Sequence, residues 1–229
     1  MIIGVAGGKG GVGKTTVSLN LGWELDGVIV DGDLATTDLP QNRGPGIHDV
    51  LAGRVDPVEA VERIGPINIL SASYAIEGAR ASDLQRFSEA VTMLERTYGT
   101  VVIDCPAGLA QDIGVFLDSA DFAVLVTTPK PAARADAART RELAIELGTP
   151  LSSVAVNQIF AETYLGNSRD ELLSEIESEL RTEAIPIPYQ ASVATAQEEG
   201  KPIGTLVPDS EGAKQFKTLA DRQRTVVKR

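Results

Sequence analysis

The sequence predicts an α/β fold: a mostly parallel central sheet with helices on both faces, in three layers. Three observations carry that expectation. Short runs of β-branched and aliphatic residues alternate along the chain with stretches of helical period, the pattern of repeated strand–helix units joined by right-handed crossovers. The run Val101-Val102-Ile103 is apolar without alternation, as a parallel strand covered on both faces must be. The first run, Ile2 to Ala6, leads into a glycine-rich loop and then a helix, the arrangement by which such sheets offer a ligand site at their strand ends. With 229 residues, 43% of them hydrophobic, the chain can bury a sizeable core, and one domain over residues 1–229 is expected.

The loop comes first. Gly8 to Thr15 fits the pattern G-x-x-x-x-G-K-[ST]. Gly8, Gly10, Gly11 and Gly13 let the backbone turn tightly and aim its N–H groups at phosphate oxygens, with Val12 between them. The helix that follows, from Val17 to Leu25, adds the partial positive charge of its N-terminus. Lys14 is expected at the β- and γ-phosphates, and the Thr15 hydroxyl on Mg²⁺. The pattern therefore points to a nucleotide, ATP or ADP, with Mg²⁺. A second lysine, Lys9, stands one residue after the first glycine.

Val28-Ile29-Val30 is the next strand and ends in Asp31-Gly32-Asp33. Acidic residues just past a strand end sit where these sheets bind ligands. Asp33 is read as positioning the attacking water near the γ-phosphate and as a candidate metal ligand. Pro45-Gly46 opens a short helix, Ile47 to Gly53, closed by glycine. His48, the only histidine, cannot build a metal site alone and is read as a surface or capping residue. Val58 to Val61 reads as another short helix, and Ile67 to Leu70 as a strand. Ser82 caps a long helix running to about Thr97, with Leu84, Phe87, Val91 and Leu94 on one face.

Thr100 to Ile103 reads as a buried strand that delivers Asp104 to the sheet's edge, where a carboxylate can hold Mg²⁺. Asp104-Cys105-Pro106-Ala107-Gly108 continues it. Cys105 is read as a small core residue. A helix over Ile113 to Ser119 and a strand from Phe122 to Thr128 follow. The helix from Ala132 to Leu147 is charged enough, through Arg134, Asp136, Arg139 and Arg141, to present a solvated face. Val154 to Gln158 is a strand and Ser168 to Leu180 an acidic helix. Ala184 to Pro188 reads as the last strand. A helix over Gln190 to Glu199 is stopped by Gly200. A final helix from Asp209 carries Ala213, Phe216, Leu219, Ala220, Val226 and Val227 on one stripe, with basic residues around it.

Composition excludes several classes. No apolar run approaches the roughly 18 residues of a membrane span. No basic stretch precedes the first apolar residues as in a signal peptide. One cysteine excludes a disulfide framework and a chain-supplied four-cysteine iron–sulfur site. The cytoplasm is the expected compartment. A net charge of −11 opposes specific or general nucleic-acid binding and suits solubility in high salt, as in a halophile.

Gly8-Lys9-Gly10-Gly11-Val12-Gly13-Lys14-Thr15-Thr16, Asp31-Gly32-Asp33, the D-x-P-A-G segment, Val156-Asn157 and Ile185-Pro186-Ile187-Pro188, in that order, resemble the MinD/ParA family of deviant Walker A ATPases, most nearly its archaeal MinD-type members. The resemblance covers nearly the whole chain. It implies Mg²⁺-dependent ATP hydrolysis coupled to homodimerisation, with Lys9 reaching across to the partner's nucleotide. It implies a spatial switch that places division or surface machinery and works with a protein partner or activator. It places Gly108 where its backbone senses the γ-phosphate, Asn157 at the adenine edge, and Pro188 flanking the base. Asp38 stands where many relatives carry asparagine. A ParA-type partition ATPase and a non-hydrolysing nucleotide-binding adaptor stand as alternatives. The basic tail is expected to give weak peripheral membrane contact at low salt, because few large apolar side chains surround its charges.

Overall fold

A computed structural model describes residues 1–8, 10–34, 39–40, 44–72, 83–108, 111–160, 163–164 and 167–226. The elements in chain order are β1 (Ile2–Ala6), α1 (Lys14–Glu24), β2 (Val28–Asp31), α2 (Ile47–Leu51), β3 (Glu62–Ile64), β4 (Ile67–Leu70), α3 (Arg86–Tyr98) and β5 (Val101–Asp104). There follow α4 (Gln111–Asp118), β6 (Phe122–Thr127), α5 (Pro131–Glu146), β7 (Leu151–Ile159), β8 (Thr163–Tyr164), β9 (Asn167–Ser168) and α6 (Arg169–Leu180). The chain then forms β10 (Ala184–Pro188), α7 (Ala191–Glu198), α8 (Ile203–Leu206) and α9 (Glu211–Val226).

One eight-stranded sheet runs in the order β10-β7-β6-β1-β5-β2-β4-β3. All its neighbours are parallel except β3 with β4. The fold class is the one expected. Because successive strand residues face opposite ways, each strand feeds two cores. Val28, Val30, Val101 and Ile103 face a layer that includes Phe87, Val91 and Leu94 of α3 and Phe116 of α4. There Phe87 and Phe116 meet edge to face, 4.6 Å between ring centres. Ile3, Val5, Val102 and Val124 face the other layer, formed by Val17 and Leu21 of α1 and Phe216 and Leu219 of α9. The central strand β1 lies between β5 and β6, with Val5 opposite Asp104 and Ala6 opposite Leu125. That placement sets the loop after β1 at the middle of the sheet's C-terminal edge.

Several local expectations change. Residues 57–60 form a turn, not a helix. The Asp56 carboxylate accepts from the Val58 N–H at 2.8 Å and the Asp56 carbonyl from the Ala60 N–H at 3.1 Å, a single capped turn that does not propagate. The chain then enters the short antiparallel strand β3, which is too brief to show a period. The long helix begins at Arg86, and Ser82 lies outside the described residues. On α5, Arg134 and Arg141 do not face solvent. Arg134 pairs with Glu179 and, at 2.8 Å, with Glu175 of α6, its side chain only 11% exposed. Arg141 donates to the Leu180 carbonyl at 2.8 Å. The acidic face of α6 draws in Arg134, and the carbonyl at the end of that helix takes Arg141. Helix α6 starts with a reciprocal cap in which Ser168 Oγ accepts from the Glu171 N–H and Glu171 accepts from the Ser168 N–H. The apolar stripe of α9 is internal: Ala213, Phe216, Leu219 and Ala220 are buried, and Val226 packs on the same cluster. No helix among the described residues is long and apolar enough to cross a membrane.

The contact of α1 with β2 is tight enough to test. A Cβ on Gly22 would run into Cγ1 of Ile29. Gly22→Ala gains about 1 kcal/mol of helix propensity. It loses about 1–3 kcal/mol to overpacking in a core that cannot yield cheaply. The expected outcome is net destabilisation, read as a lower urea midpoint at unchanged slope. A raised midpoint would show that this interface is loose.

Candidate functional site

The site is built where β1, β5 and β2 end. The loop after β1 is held from three sides. Val12 is buried in one cluster with Val17 and Val126, so its side chain anchors the loop, and it is not among the residues that line the cleft. Asn157, at the end of β7, donates through Nδ2 to the Val12 carbonyl at 2.9 Å. Gln158 reaches the Gly11 carbonyl at 3.4 Å. Gly8 rests on α5, where a Cβ would sit 2.5 Å from the Asp136 carbonyl oxygen. Gly13 takes φ +96 as the residue before α1, and a Cβ there would meet the Asn157 amide nitrogen. Glycine is thus required twice over at this position, by backbone conformation and by space. Helix α1 begins at Lys14 without an acidic residue in its first turn, which leaves its N-terminal N–H groups to an anion.

Opposite the loop stand the carboxylates. Asp104 ends β5 and is 4% exposed. Ser18 Oγ donates to its Oδ1 at 2.9 Å. Burial pushes the Asp104 carboxyl up to about 6, against the pull of the Thr15 and Ser18 hydroxyls and the Lys14 ammonium, with the Asp33 charge adding to the rise. Asp31 sits beside it in register at the end of β2. The Asp31 carboxylate accepts from the Asp33 N–H at 3.1 Å and from the Ala72 N–H at 3.2 Å. The Gly32 N–H donates to the Asp104 carbonyl at 2.9 Å, tying the two strand ends together.

Between the two walls lies a cleft of about 370 Å³. Gly10, Gly11, Gly13, Lys14, Thr15 and Thr16 form its loop side, and Asp33 and Asp104 are among the residues opposite. Lys14 is 9% exposed, so its charge is aimed inward. Asn157 also lines the cleft, although its amide is engaged with the loop and with the Gln158 N–H. Pro188 ends β10 beside Ile159, buried and outside the lining. Gly108 takes φ +86 in the turn after β5, and its neighbour Ala107 is the one that reaches the cleft. Cys105 also lines it, with its thiol buried and its pKa pushed up by that burial, a neutral core residue as expected. Lys9 and Asp38 lie outside the described residues.

Sequence reasoning missed Asp31, Gln158 and Gln197 as lining residues. Asp31 was visible in the D-x-D pair, but only the fold shows it spent on backbone N–H groups. Gln158 adopts φ +60, a strained state for a residue other than glycine, next to the loop. No pattern in the sequence signals it.

The donor set suits a nucleotide with a hard cation. A hydroxyl and carboxylates are the ligands Mg²⁺ takes, and a buried lysine at a helix N-terminus suits phosphate. A glycine loop between a central strand and helix, faced by carboxylates at and just past the ends of β5 and β2, defines a P-loop nucleotide-binding protein. A ParA model, described as a NUBPL iron-transfer P-loop NTPase, matches residues 1–223. The chain is 32% identical over 208 residues to an ATP-binding protein of Methanocaldococcus jannaschii, covering 86% of this chain and 77% of that one. The cell-division ATPase MinD of Pyrococcus furiosus superposes with a TM-score of 0.86 at 28% identity over 98% of each chain. MinD of Pyrococcus horikoshii, solved with Mg-ADP, gives 0.86 at 27% identity, over 99% of this chain and 96% of that one. The chain belongs to the ParA/MinD family of P-loop NTPases, whose members characteristically use a nucleotide and Mg²⁺.

The raised Asp104 carboxyl has a consequence for the free protein. Its folded-state pKa of about 6 lies above the unfolded value of about 3.9. The folded chain therefore holds a proton that the unfolded chain releases. This contribution to stability is full below about pH 4 and is lost as pH rises through 6. Asp104→Asn keeps the acceptor for Ser18 and removes the ionisation. Without nucleotide or metal, the variant should match the wild type at pH 4 and exceed it at pH 8 by about 1–3 kcal/mol. Urea midpoints at the two pH values check this. A variant less stable at pH 8 would mean the ionised carboxylate is compensated in place.

Proposed function

We infer that the chain is a Mg²⁺-dependent ATP hydrolase that dimerises around ATP and acts as a positional switch of the MinD type. The observation that carries the reading is the desolvated corner in which Lys14 and the loop N–H groups face Asp33 and Asp104 across one cleft. Lys14 binds the β- and γ-phosphates, and the loop backbone orients them. Thr15, Asp33 and Asp104 would hold Mg²⁺, which supplies charge neutralisation on the transferred phosphoryl group. Asp33 also orients the attacking water. Lys9 completes the partner's site, so hydrolysis requires two copies and its completion releases them. Gly108 senses the γ-phosphate, and Asn157 and Pro188 border the base. The protein acts as one domain with a protein partner or activator.

Iron transfer, named in the description of the matching family model, finds no support in this chain. Its sole cysteine is buried and held protonated. DNA partition is opposed by the net charge of −11. The adaptor reading does not explain two carboxylates gathered opposite the loop. Because the apolar face of α9 is buried, membrane contact rests on exposed bases such as Lys214 and Lys217, each contributing about 1 kcal/mol at an anionic surface and screened by salt.

Phosphate release and light scattering test the reading together. Lys14→Ala should lose productive ATP binding. Asp33→Ala should bind ATP and accumulate as dimer while hydrolysis falls by about 10²-fold or more. Lys9→Ala should bind ATP and remain monomeric. A Lys9→Ala variant that dimerises and hydrolyses normally would refute the sandwich.

A further inference from the structure

Helix α2 carries His48, which is not on the surface but 3% exposed. Its Nε2 lies 3.1 Å from the carbonyl oxygen of Leu34, the residue after Asp33. A carbonyl only accepts, so Nε2 carries the proton and donates. Burial lowers the ring's affinity for a second proton, which keeps it neutral.

The segment so gripped is short. The Leu34 N–H donates to the Gly32 carbonyl at 3.0 Å, and the Asp33 N–H donates to the Asp31 carboxylate at 3.1 Å. Asp31 is fixed in turn by the Ala72 N–H at the end of β4. Asp33 thus sits in a tight turn fastened by Asp31 before it and by His48 after it. The second is mounted on a stiff base. The Ile47 N–H donates to the Ser71 carbonyl at 2.9 Å, and the Asp49 carboxylate accepts from the Gly46 N–H at 3.1 Å. Ile47, Val50 and Leu51 are buried in the same cluster as Phe87 and Val91 of α3.

We propose that His48 is a positioning residue for Asp33: its Nε2–H holds the Leu34 carbonyl, and through the Leu34 backbone it sets the direction in which Asp33 presents its carboxylate to the cleft. The proposal rests on the reading of Asp33 as the group that orients the attacking water. His48 is not among the residues that line the cleft, so its loss acts on the chemical step and not on binding. A misplacement of about 1 Å at a reacting group is enough to cost about 10²-fold in rate. Phosphate loop, Lys14 and Asp104 stand on other elements and are left in place.

Steady-state ATP hydrolysis and ATP-induced dimerisation, measured on the full chain for His48→Ala, His48→Gln, Asp33→Ala and the pair His48→Ala with Asp33→Ala, test this. His48→Ala should lower kcat by about 10- to 100-fold with KM for ATP and the dimer unchanged. Glutamine, whose amide reaches a similar distance, should restore a large part of the rate. In the Asp33→Ala background, His48→Ala should change nothing further. His48→Ala with kcat within about twofold of wild type, or a loss that multiplies fully with that of Asp33→Ala, would overturn the proposal. If His48→Ala fails to fold, His48→Gln and the shorter His48→Asn carry the comparison at matched melting temperature. Glutamine should then be the faster, and equal rates would overturn the proposal. Asp33→Ala hydrolysing at the wild-type rate would instead remove the reading beneath it. An inactive Asp33→Ala beside a fully active His48→Ala removes only the role of His48.

Discussion

The burial of one carboxylate organises this molecule. Asp104 is placed at the end of a fully covered strand, where water cannot solvate its charge. An isolated ion there would cost several kcal/mol, so the fold offsets it with what lies close by. Ser18 and Thr15 on the first turns of α1 supply hydroxyls, and Lys14 supplies the opposite charge. All three come from the helix that follows the glycine loop. The offset is incomplete, as the raised pKa records, and the remainder is what a bound cation can collect. The same corner thus explains why α1 must start where it does and why its first turn carries hydroxyls and no acid.

The second neighbour, β2, is bound to this corner through backbone. Gly32 hangs from the Asp104 carbonyl, and Asp31 takes two N–H groups with its carboxylate. Asp31 and Asp33 both line the cleft, and Asp31 is the one whose carboxylate takes the N–H groups of Asp33 and Ala72. That division of labour is a matter of which N–H groups lie within reach. It connects α2, β4 and the nucleotide cleft through single hydrogen bonds between rigid parts.

Much of this was legible in the order of residues. The phosphate loop, the strand ending in Asp104 and the alternation of elements are local patterns with one physical meaning each. The buried strand β5 was legible because a two-sided apolar run leaves no polar face to explain. Elsewhere the decisive facts were distant. Nothing near His48 in the chain tells that α2 docks under the Asp33 turn. Arg134 and Arg141 looked like a solvated face because their partners, two acids for the first and the Leu180 carbonyl for the second, stand on another helix about forty residues on. Asn157 could be assigned to the sheet's edge by counting along its strand, but its partner was set by the bulk and shape of the loop above it. Short strand β3 and the turn at Asp56 show the same limit at small scale, where a capped first turn was not continued into a helix.

The hydrogen bond from Asn157 to Val12 joins residues 145 positions apart. It bears on how the protein comes into being on the ribosome. The glycine loop leaves the exit tunnel early, yet its shape is braced by β7, and its strand β1 pairs with β5 and β6, which emerge about a hundred residues later. For much of synthesis the nascent chain therefore holds a phosphate-loop sequence without a finished cradle. ATP capture is then a late event in the life of each molecule, and a chain stalled before β7 carries the motif but lacks the brace that shapes it.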